Sequence, residues 1–582
     1  MAKETLAIAV DFGTTYSGVS YRPIGDNTDP EPTQLGRWPG QPAIRQSFKV
    51  PTMVAYPTGM NAHSPVLWGY QAERPPTDAY TQVRAFKPFL SPDTPQEFEG
   101  APGKTLFDAV RDFLQGVYDH LVRELRGQGL SATLYDYLVL FTVPATFNNA
   151  TVEAFKRIVK ATGWGDHSIQ VELTEPEAAA LHTLRTQRVL LNQLGMGTGR
   201  CFVICDAGGG TVDLASYSIS EMIPSIRLAQ TGVVTGGVCG SILIDREFKR
   251  FIKKLMGEGA YNTLSSSKKT ALVDEFIAKK EWFEDVEYHN TIALRLPADV
   301  SCPRQRGGFL SIERDQMKSF FEPSVKETCQ LVVDHVHQCN QNGFQVSFVF
   351  LVGGFGTSPY LKARLASVLY QLQPGCEIIT PRHAEQAVVL GCLYTHLQRL
   401  RKEEDPVSQR LCRASLGVVA LKAFNPATHA PEERYVHPVT GQELALNQIM
   451  WLCKKGDPIT HGAVSEIERE LVRSFEKAIT EEWMEQLVCS DHDIAPKRMT
   501  AGVREICVLT SDLRRCPLSE FDKKKRSTGG WCGMGRKSYY EARYTVKLLQ
   551  STADLRFEMT FKKRVRSDLL KVTWDELGDK RG

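Results

Sequence analysis

Two stretches of this chain end an apolar run in an aspartate followed by glycines and hydroxyl residues. That pairing limits the possible folds more than any average property does. At the first, Leu6-Ala7-Ile8-Ala9-Val10 stops in Asp11-Phe12-Gly13-Thr14-Thr15-Tyr16. At the second, Cys201-Phe202-Val203-Ile204-Cys205 stops in Asp206-Ala207-Gly208-Gly209-Gly210-Thr211-Val212-Asp213. A short apolar run bounded by glycine reads as a buried strand. The glycines after it let backbone N–H groups come within hydrogen-bond range of anionic oxygens, because no Cβ stands in the way. Asp206, at the strand tip, then faces a hydrated metal ion, with Asp11 as its counterpart. One such turn alone is commonly a plain structural connection. Two of them, about 195 residues apart with aspartates in matching positions, read as halves of one phosphate clamp.

Over four segments the sequence resembles the actin-like ATPases and, within them, the 70-kDa heat-shock chaperones. These are Ile8 to Gly18, the pair Val143-Pro144-Ala145-Thr146-Phe147-Asn148 and Leu173-Thr174-Glu175-Pro176-Glu177-Ala178-Ala179-Ala180, then Asp206 to Asp213, and Phe350-Leu351-Val352-Gly353-Gly354-Phe355. The resemblance implies an α/β actin-like ATPase fold of two lobes, built on duplicated ribonuclease H-like mixed sheets, with ATP or ADP and Mg²⁺ between them. It implies that Asp11, Glu175 and Asp206 hold the ion through water. Thr14, Thr15, Gly208, Gly209, Gly210 and Thr211 would cradle phosphates, with Gly13 and Tyr16 in the same first loop. Lys87 would be the cation on the transferring phosphate, so that Lys87, Glu175, Asp206 and Thr211 form the catalytic set. Gly236 and Gly237 would approach phosphate from the second lobe, while Lys279, Lys280 and the turn Gly353, Gly354, Phe355 would hold adenosine.

Departures from the family pattern point to a divergent branch of it. Val152 stands where the chaperones carry an arginine that relays nucleotide state, and Val238-Cys239 replaces an acidic pair that supplies a potassium ligand. Phe283 takes the place of a ribose-contacting serine, and Thr357 that of the adenine-stacking arginine. The implied activity is slow ATP hydrolysis by a chaperone-like protein. One alternative is a nucleotide-sensing scaffold that scarcely hydrolyses ATP. Another is a small-molecule kinase of the same fold, which would need a general-base aspartate that no third strand end supplies.

A length of 582 residues asks for two to four domains,. The divisions expected are 1–401 for the nucleotide-binding domain, with its lobes split near 185–200, a charged linker at 402–409, and a β-rich, degenerate substrate-binding-like domain at 410–582. Within the last, Tyr544, Val546 and Leu548, then Phe557, Met559 and Phe561, alternate with polar residues at the period of a half-buried sheet,. That domain is the expected surface for a protein client or partner. Only about five residues follow Trp574-Asp575-Glu576-Leu577, so no helical lid is expected. Leu190 to Gly199 reads as a loose surface connection.

Seventy basic and 67 acidic residues leave a net charge of +3, too little over this length to argue for nucleic acid or membrane, and neither is expected as a partner,. The run Lys523-Lys524-Lys525-Arg526 reads as a solvated loop, with a nuclear signal or an anionic partner as the sharper reading,. Met1-Ala2-Lys3-Glu4 leads straight into the first strand, without the apolar stretch of a secretory leader. All 14 cysteines lie after residue 200 without a CxxC pair, which reads as reduced thiols in a cytoplasmic setting,. His335 and Cys339 share a helix face but lack the second ligand pair of a zinc site.

Overall fold

The computed structural model describes residues 3–25, 31–42, 47–59, 63–75, 79–91, 98–222, 226–285, 291–400, 405–460, 465–514, 516–528, 535–550, 555–565 and 570–571. Trp574 to Leu577, and part of the expected linker, 402–404, lie outside these residues. The chain forms two compact units, Met1–Ser408 and Gln409–Gly582. It is a mixed α/β molecule with several mixed sheets.

The first unit builds the same sheet twice. In the first copy, β1 (Glu4–Asp11) turns back antiparallel into β2 (Tyr16–Ile24), which pairs with the short β3 (Thr33–Gln34). On its other side β1 runs parallel to β4 (Tyr135–Val143), and β4 to β5 (Ser168–Thr174). In the second copy β6 (Cys201–Ala207), β7 (Val212–Glu221) and β8 (Arg227–Gly237) are antiparallel neighbours, while β6, β9 (Val346–Val352) and β10 (Glu377–Ile379) are parallel. The orders β3-β2-β1-β4-β5 and β8-β7-β6-β9-β10 are the same path. Both Asp-Gly turns therefore fall at the equivalent hairpin, between the first and second strands of each copy. The central strands are covered on both faces, which is why their sequences are continuous rather than alternating apolar runs,.

Helices fill the faces. Helix α1 (Leu106–Gly127) starts at a capping box in which the Thr105 hydroxyl accepts the Asp108 N–H and the Asp108 carboxylate accepts the Thr105 N–H,. Then come α2 (Asn149–Lys160), α3 (Glu175–Thr186), α4 (Ile242–Met256), α5 (Ser266–Lys280), α6 (Arg314–Gln341) and α7 (Ala387–Leu400). Helices α3 and α7 cross so closely that a Cβ on Gly391 would lie 1.9 Å from the Ala178 carbonyl oxygen. Both copies of the sheet share one core there, joining Ala7, Ala9 and Leu140 to Phe202, Ile204 and Phe350 through Ala178, Ala179 and Leu393. Leu190 to Gly199 is less loose than its glycines suggest. A short helix, Arg188–Gln193, and the buried Leu191 and Met196 tie it into this core. At the end of the unit, Leu228 donates its N–H to the Pro406 carbonyl (2.7 Å) and Ser408 its hydroxyl to the Leu228 carbonyl (3.0 Å), so 406–408 runs along β8.

The second unit is strand-rich. One sheet orders Arg434–Val436, β12 (Glu443–Cys453), β11 (Ser415–Ala423), β13 (Trp483–Ser490) and β14 (Val503–Ser511). The other is built on a 16-residue strand, β16 (Gly535–Gln550), which pairs with Ser465–Phe475, with β15 (Asp522–Thr528) and with β17 (Leu555–Phe561). A common core joins Val418, Leu487 and Leu509 of the first sheet to Tyr544, Val546, Leu548, Phe557, Met559 and Phe561 of the second. The period-two alternation thus reappears as burial. The run Lys523 to Arg526, by contrast, is not a loop but the middle of β15, because its register with β16 is set strand against strand from Asp522 to Thr528.

Candidate functional site

Repeating the sheet brings the two Asp-Gly turns face to face. A Cβ on Gly209 would stand 2.2 Å from Cγ2 of Thr15, and one on Gly210 2.6 Å from Cγ2 of Thr14, so each turn approaches the other as only glycine permits,. The second turn is held from behind, where the N–H groups of Gly240, Ser241 and Ile242 donate to the carbonyls of Gly210, Gly208 and Gly209 at 3.1, 3.2 and 2.9 Å. Those are the first amides of α4, which would otherwise lack partners.

Around this contact sits a buried charge cluster. Asp11, Glu175, Asp206 and Asp213 are all buried, as is Lys87. Glu175 owes its place to the start of α3, where Thr174 and Glu177 form a capping box and Pro176 fixes the first turn,. Lys87 reaches it from a strained segment, since Ala85 has φ 54°, a left-handed conformation that costs a non-glycine residue about 1–2 kcal/mol,. The turn sends Phe86 into the aromatic group of Phe12 and Phe113 and leaves Lys87 Nζ 2.5 Å from Glu175 Oε1, over the Phe12 ring. A second ammonium group, that of Lys49, forms an ion pair with Asp11. Nothing in the sequence around Lys49 marks it, because its partner is 38 positions away and its role comes from β2 pairing with Lys49–Pro51. Asp213 accepts the hydroxyl of Thr146 at 2.9 Å and is also hydrogen-bonded by Thr211.

Four carboxylates and two ammonium groups leave a formal excess of two negative charges (4 − 2) within this cluster of described residues. Burial is the main force that pushes the Glu175 carboxyl up from its ordinary range, with Lys87 pulling it back and Asp11 and Asp213 pushing further,. Asp206 is raised well above its usual value by burial and then by Glu175, Asp213 and Asp11. Asp213 is raised by burial against the hydrogen bonds of Thr146 and Thr211. Among the described residues no group of three or more His, Cys, Asp or Glu stands close enough to ligate a metal directly.

The remaining expected residues divide. Gly236 faces the cluster, as a Cβ there would lie 2.7 Å from Thr146 Cγ2, whereas Gly237 looks toward Glu327 on α6. Gly353 abuts Asp206, at 2.6 Å from its Oδ1 to a built Cβ, and Gly354 opens to free space. Phe355 turns into the core. Lys280 is buried and donates to Asp245 Oδ1 at 2.7 Å, while its neighbour Lys279 points to solvent, so the two are not brought together. Phe283 is core too, packed on Phe321 and Tyr360 with centroids 5.1 and 5.3 Å away. Gly13 and Tyr16 bound the first turn, where a Cβ on Gly13 would meet the Tyr16 carbonyl. His335, on α6, spends both ring nitrogens on Thr235 and Ser216 at 3.0 Å, and burial pushes its pKa down to about 4, so it is a neutral core group.

Comparison with known proteins gives three relatives of use. Heat shock 70 kDa protein 12A of Homo sapiens is 24% identical over 524 residues, covering 74% of this chain and 74% of that protein. Heat shock 70 kDa protein 12B of Homo sapiens is 24% identical over 525, covering 75% and 74%. The Chaperone protein HscA homolog of Acinetobacter baumannii (strain SDF) is 22% identical over 326 residues, covering 56% of this chain and 44% of that protein. Residues 410–576 match a family described as "Domain of unknown function (DUF8568)".

Proposed function

We propose that this chain, a divergent member of the 70-kDa heat-shock family, binds ATP with Mg²⁺ at the opposed Asp-Gly turns and hydrolyses it slowly. The observation that carries the reading is the contact of Gly209 and Gly210 with Thr15 and Thr14 beside four buried carboxylates. Duplicated sheets with these turns at equivalent hairpins support the actin-like fold on which that reading rests.

The residues fit the cation. A buried cluster with two uncompensated negative charges is costly in the absence of a counter-ion, and raised carboxyl pKa values are the sign of that cost. Asp11, Glu175 and Asp206 would hold Mg²⁺ through water, and the ion would neutralise phosphate charge. Turn backbone and the hydroxyls of Thr14, Thr15 and Thr211 would cradle phosphate oxygens. Lys87, held near Glu175, is the cation available to a terminal phosphate. Phosphoryl transfer to water needs chiefly this positioning and neutralisation.

A second reading, a nucleotide-sensing scaffold with little hydrolysis, is favoured by particular contacts. Lys280 is bound to Asp245 and Phe283 is buried in core, so neither is free to grip a ribose. Single-turnover hydrolysis of labelled ATP separates the two. An ATPase loses about a hundredfold in rate on Asp206→Asn, since one electrostatic contact is worth on the order of 3 kcal/mol. Wild-type turnover in that variant would remove Asp206 from the chemistry, and no turnover in the wild type would leave the scaffold.

A further inference from the structure

Strand β15 and the start of β16 form an arm that the rest of its sheet does not support. Ser465–Phe475 pairs with β16 only as far as Phe475 against Tyr540, and β17 only from Tyr544 onward. Among the described residues, Gly535 to Tyr539 therefore has β15 as its one strand partner. Two-stranded ribbons are marginal by themselves, and this one carries a charge load that makes matters worse. Residues 523–528 and 535–540 read KKKRST and GRKSYY, six cations, and the nearest acids are the Asp522 and Glu541 pair at the root. With a net charge of +3 for the chain, the other residues sum to −3 (3 − 6), so the whole-chain balance conceals a strong local segregation. Folding concentrates it, because the register sets Arg526 directly opposite Lys537, and like charges so placed repel,. Lys523, Lys524, Lys525 and Lys537 are all exposed, and none has an ion-pair partner within 4.0 Å among the described residues.

We propose that this arm is a docking element for double-stranded DNA, contacting the phosphate backbone without reading sequence. Pleating places Lys523 and Lys525 with Tyr540 on one face, and Lys524, Arg526 and Lys537 with Tyr539 on the other,. A planar anionic membrane meets one face of such a ribbon. A B-form major groove accepts a two-stranded ribbon and has phosphates along both walls, which suits exposed lysines on both faces, Lys523 and Lys525 on one and Lys524 and Lys537 on the other,. Arg526, toward the open end of the ribbon, has Nη1 on the Val439 carbonyl at 3.4 Å, so its head group is held by its own unit and the four exposed lysines are the cations left for the duplex. Lysines on an unpaired strand edge also deter edge-to-edge aggregation. That role alone does not ask for a cation on the inner strand, Lys537.

The test is fluorescence anisotropy of a labelled 20-base-pair duplex of arbitrary sequence, titrated with the full chain at 50 and 200 mM salt. The wild type is expected to bind with steep salt dependence. The triple variant Lys524→Gln, Lys525→Gln, Lys537→Gln should bind at least tenfold more weakly, with a log–log salt slope smaller by about 2.7, three phosphate contacts at 0.9 each. The charge-preserving triple change to Arg should bind as the wild type does, which guards against a fold lost to substitution. No salt-dependent binding by the wild type, or an unchanged slope in the Gln variant, would overturn the proposal. So would equal or tighter binding to phosphatidylserine vesicles or to a polyglutamate peptide at the same ionic strength, which would assign the arm to a membrane or to an acidic protein. None of these outcomes bears on the nucleotide site, which lies in the other unit.

Discussion

Lys49 pairs with Asp11 as Lys87 does with Glu175, placing a second ammonium group in the buried carboxylate cluster. Its side chain and that of Asp11 are 12% and 9% exposed, so removing the ammonium strands a carboxylate away from water. Breaking one partner of such a pair typically costs about 3–5 kcal/mol. Lys49→Met is therefore expected to lower the thermal midpoint of the free protein, and millimolar Mg²⁺ should recover part of the loss by supplying the missing charge. Differential scanning calorimetry with and without Mg²⁺ measures both, and a variant as stable as the wild type would show that the pair carries no weight. The aspartates and glycines of the clamp were legible in the sequence because each sits in a local pattern, an apolar strand broken by Asp and Gly. Lys49 and the strained Ala85 were not, since their roles depend on partners brought from 38 and 90 positions away, Asp11 for one and Glu175, through Lys87, for the other.

At the scale of elements, the crossing of α3 and α7 sets how the two copies of the sheet meet. Ala178, Ala179 and Ala180 on one helix and Gly391 on the other keep the backbones close, and a methyl group at Gly391 would clash with the Ala178 carbonyl oxygen at 1.9 Å. Gly391→Ala should destabilise the first unit by about 1–3 kcal/mol, the usual cost of overpacking. Urea denaturation would report it as a lower midpoint with an unchanged slope, and an unshifted midpoint would mean that the helices separate freely. Strand periodicity was readable wherever burial alternates, as in β16 and β17. It failed for β13, Trp483 to Ser490, where the pattern is blurred by a buried carboxylate, Glu485, which accepts the Tyr544 hydroxyl at 2.5 Å, and by the exposed Met484. It failed again for β15, whose lysines suggest a solvated loop by composition although their backbone is held in a ladder.

For the molecule as a whole, the N-terminal unit carries the proposed nucleotide site and the C-terminal β unit is the proposed site of protein partners. Val152 is buried on α2 where the family's relay arginine would stand, and the segment 402–409 is polar rather than leucine-rich. A ligand shifts an equilibrium only through differential contacts with its two states, and these positions lack the usual means. Partner or extended-peptide affinity for residues 410–582 is therefore expected to change less than about fivefold between ATP and ADP, below the ~1 kcal/mol low end of allosteric coupling. A tenfold difference in a binding titration would show another route for the signal. Whether the opposed turns form a nucleotide clamp is read from calorimetric titration of the whole chain with ATP and Mg²⁺. A single site is expected in the wild type and its loss in Gly209→Val, whose Cβ alone would fall 2.2 Å from Cγ2 of Thr15 and force the two turns apart. Equal affinity in the two proteins, or no binding heat in the wild type at millimolar ATP with Mg²⁺, would contradict it.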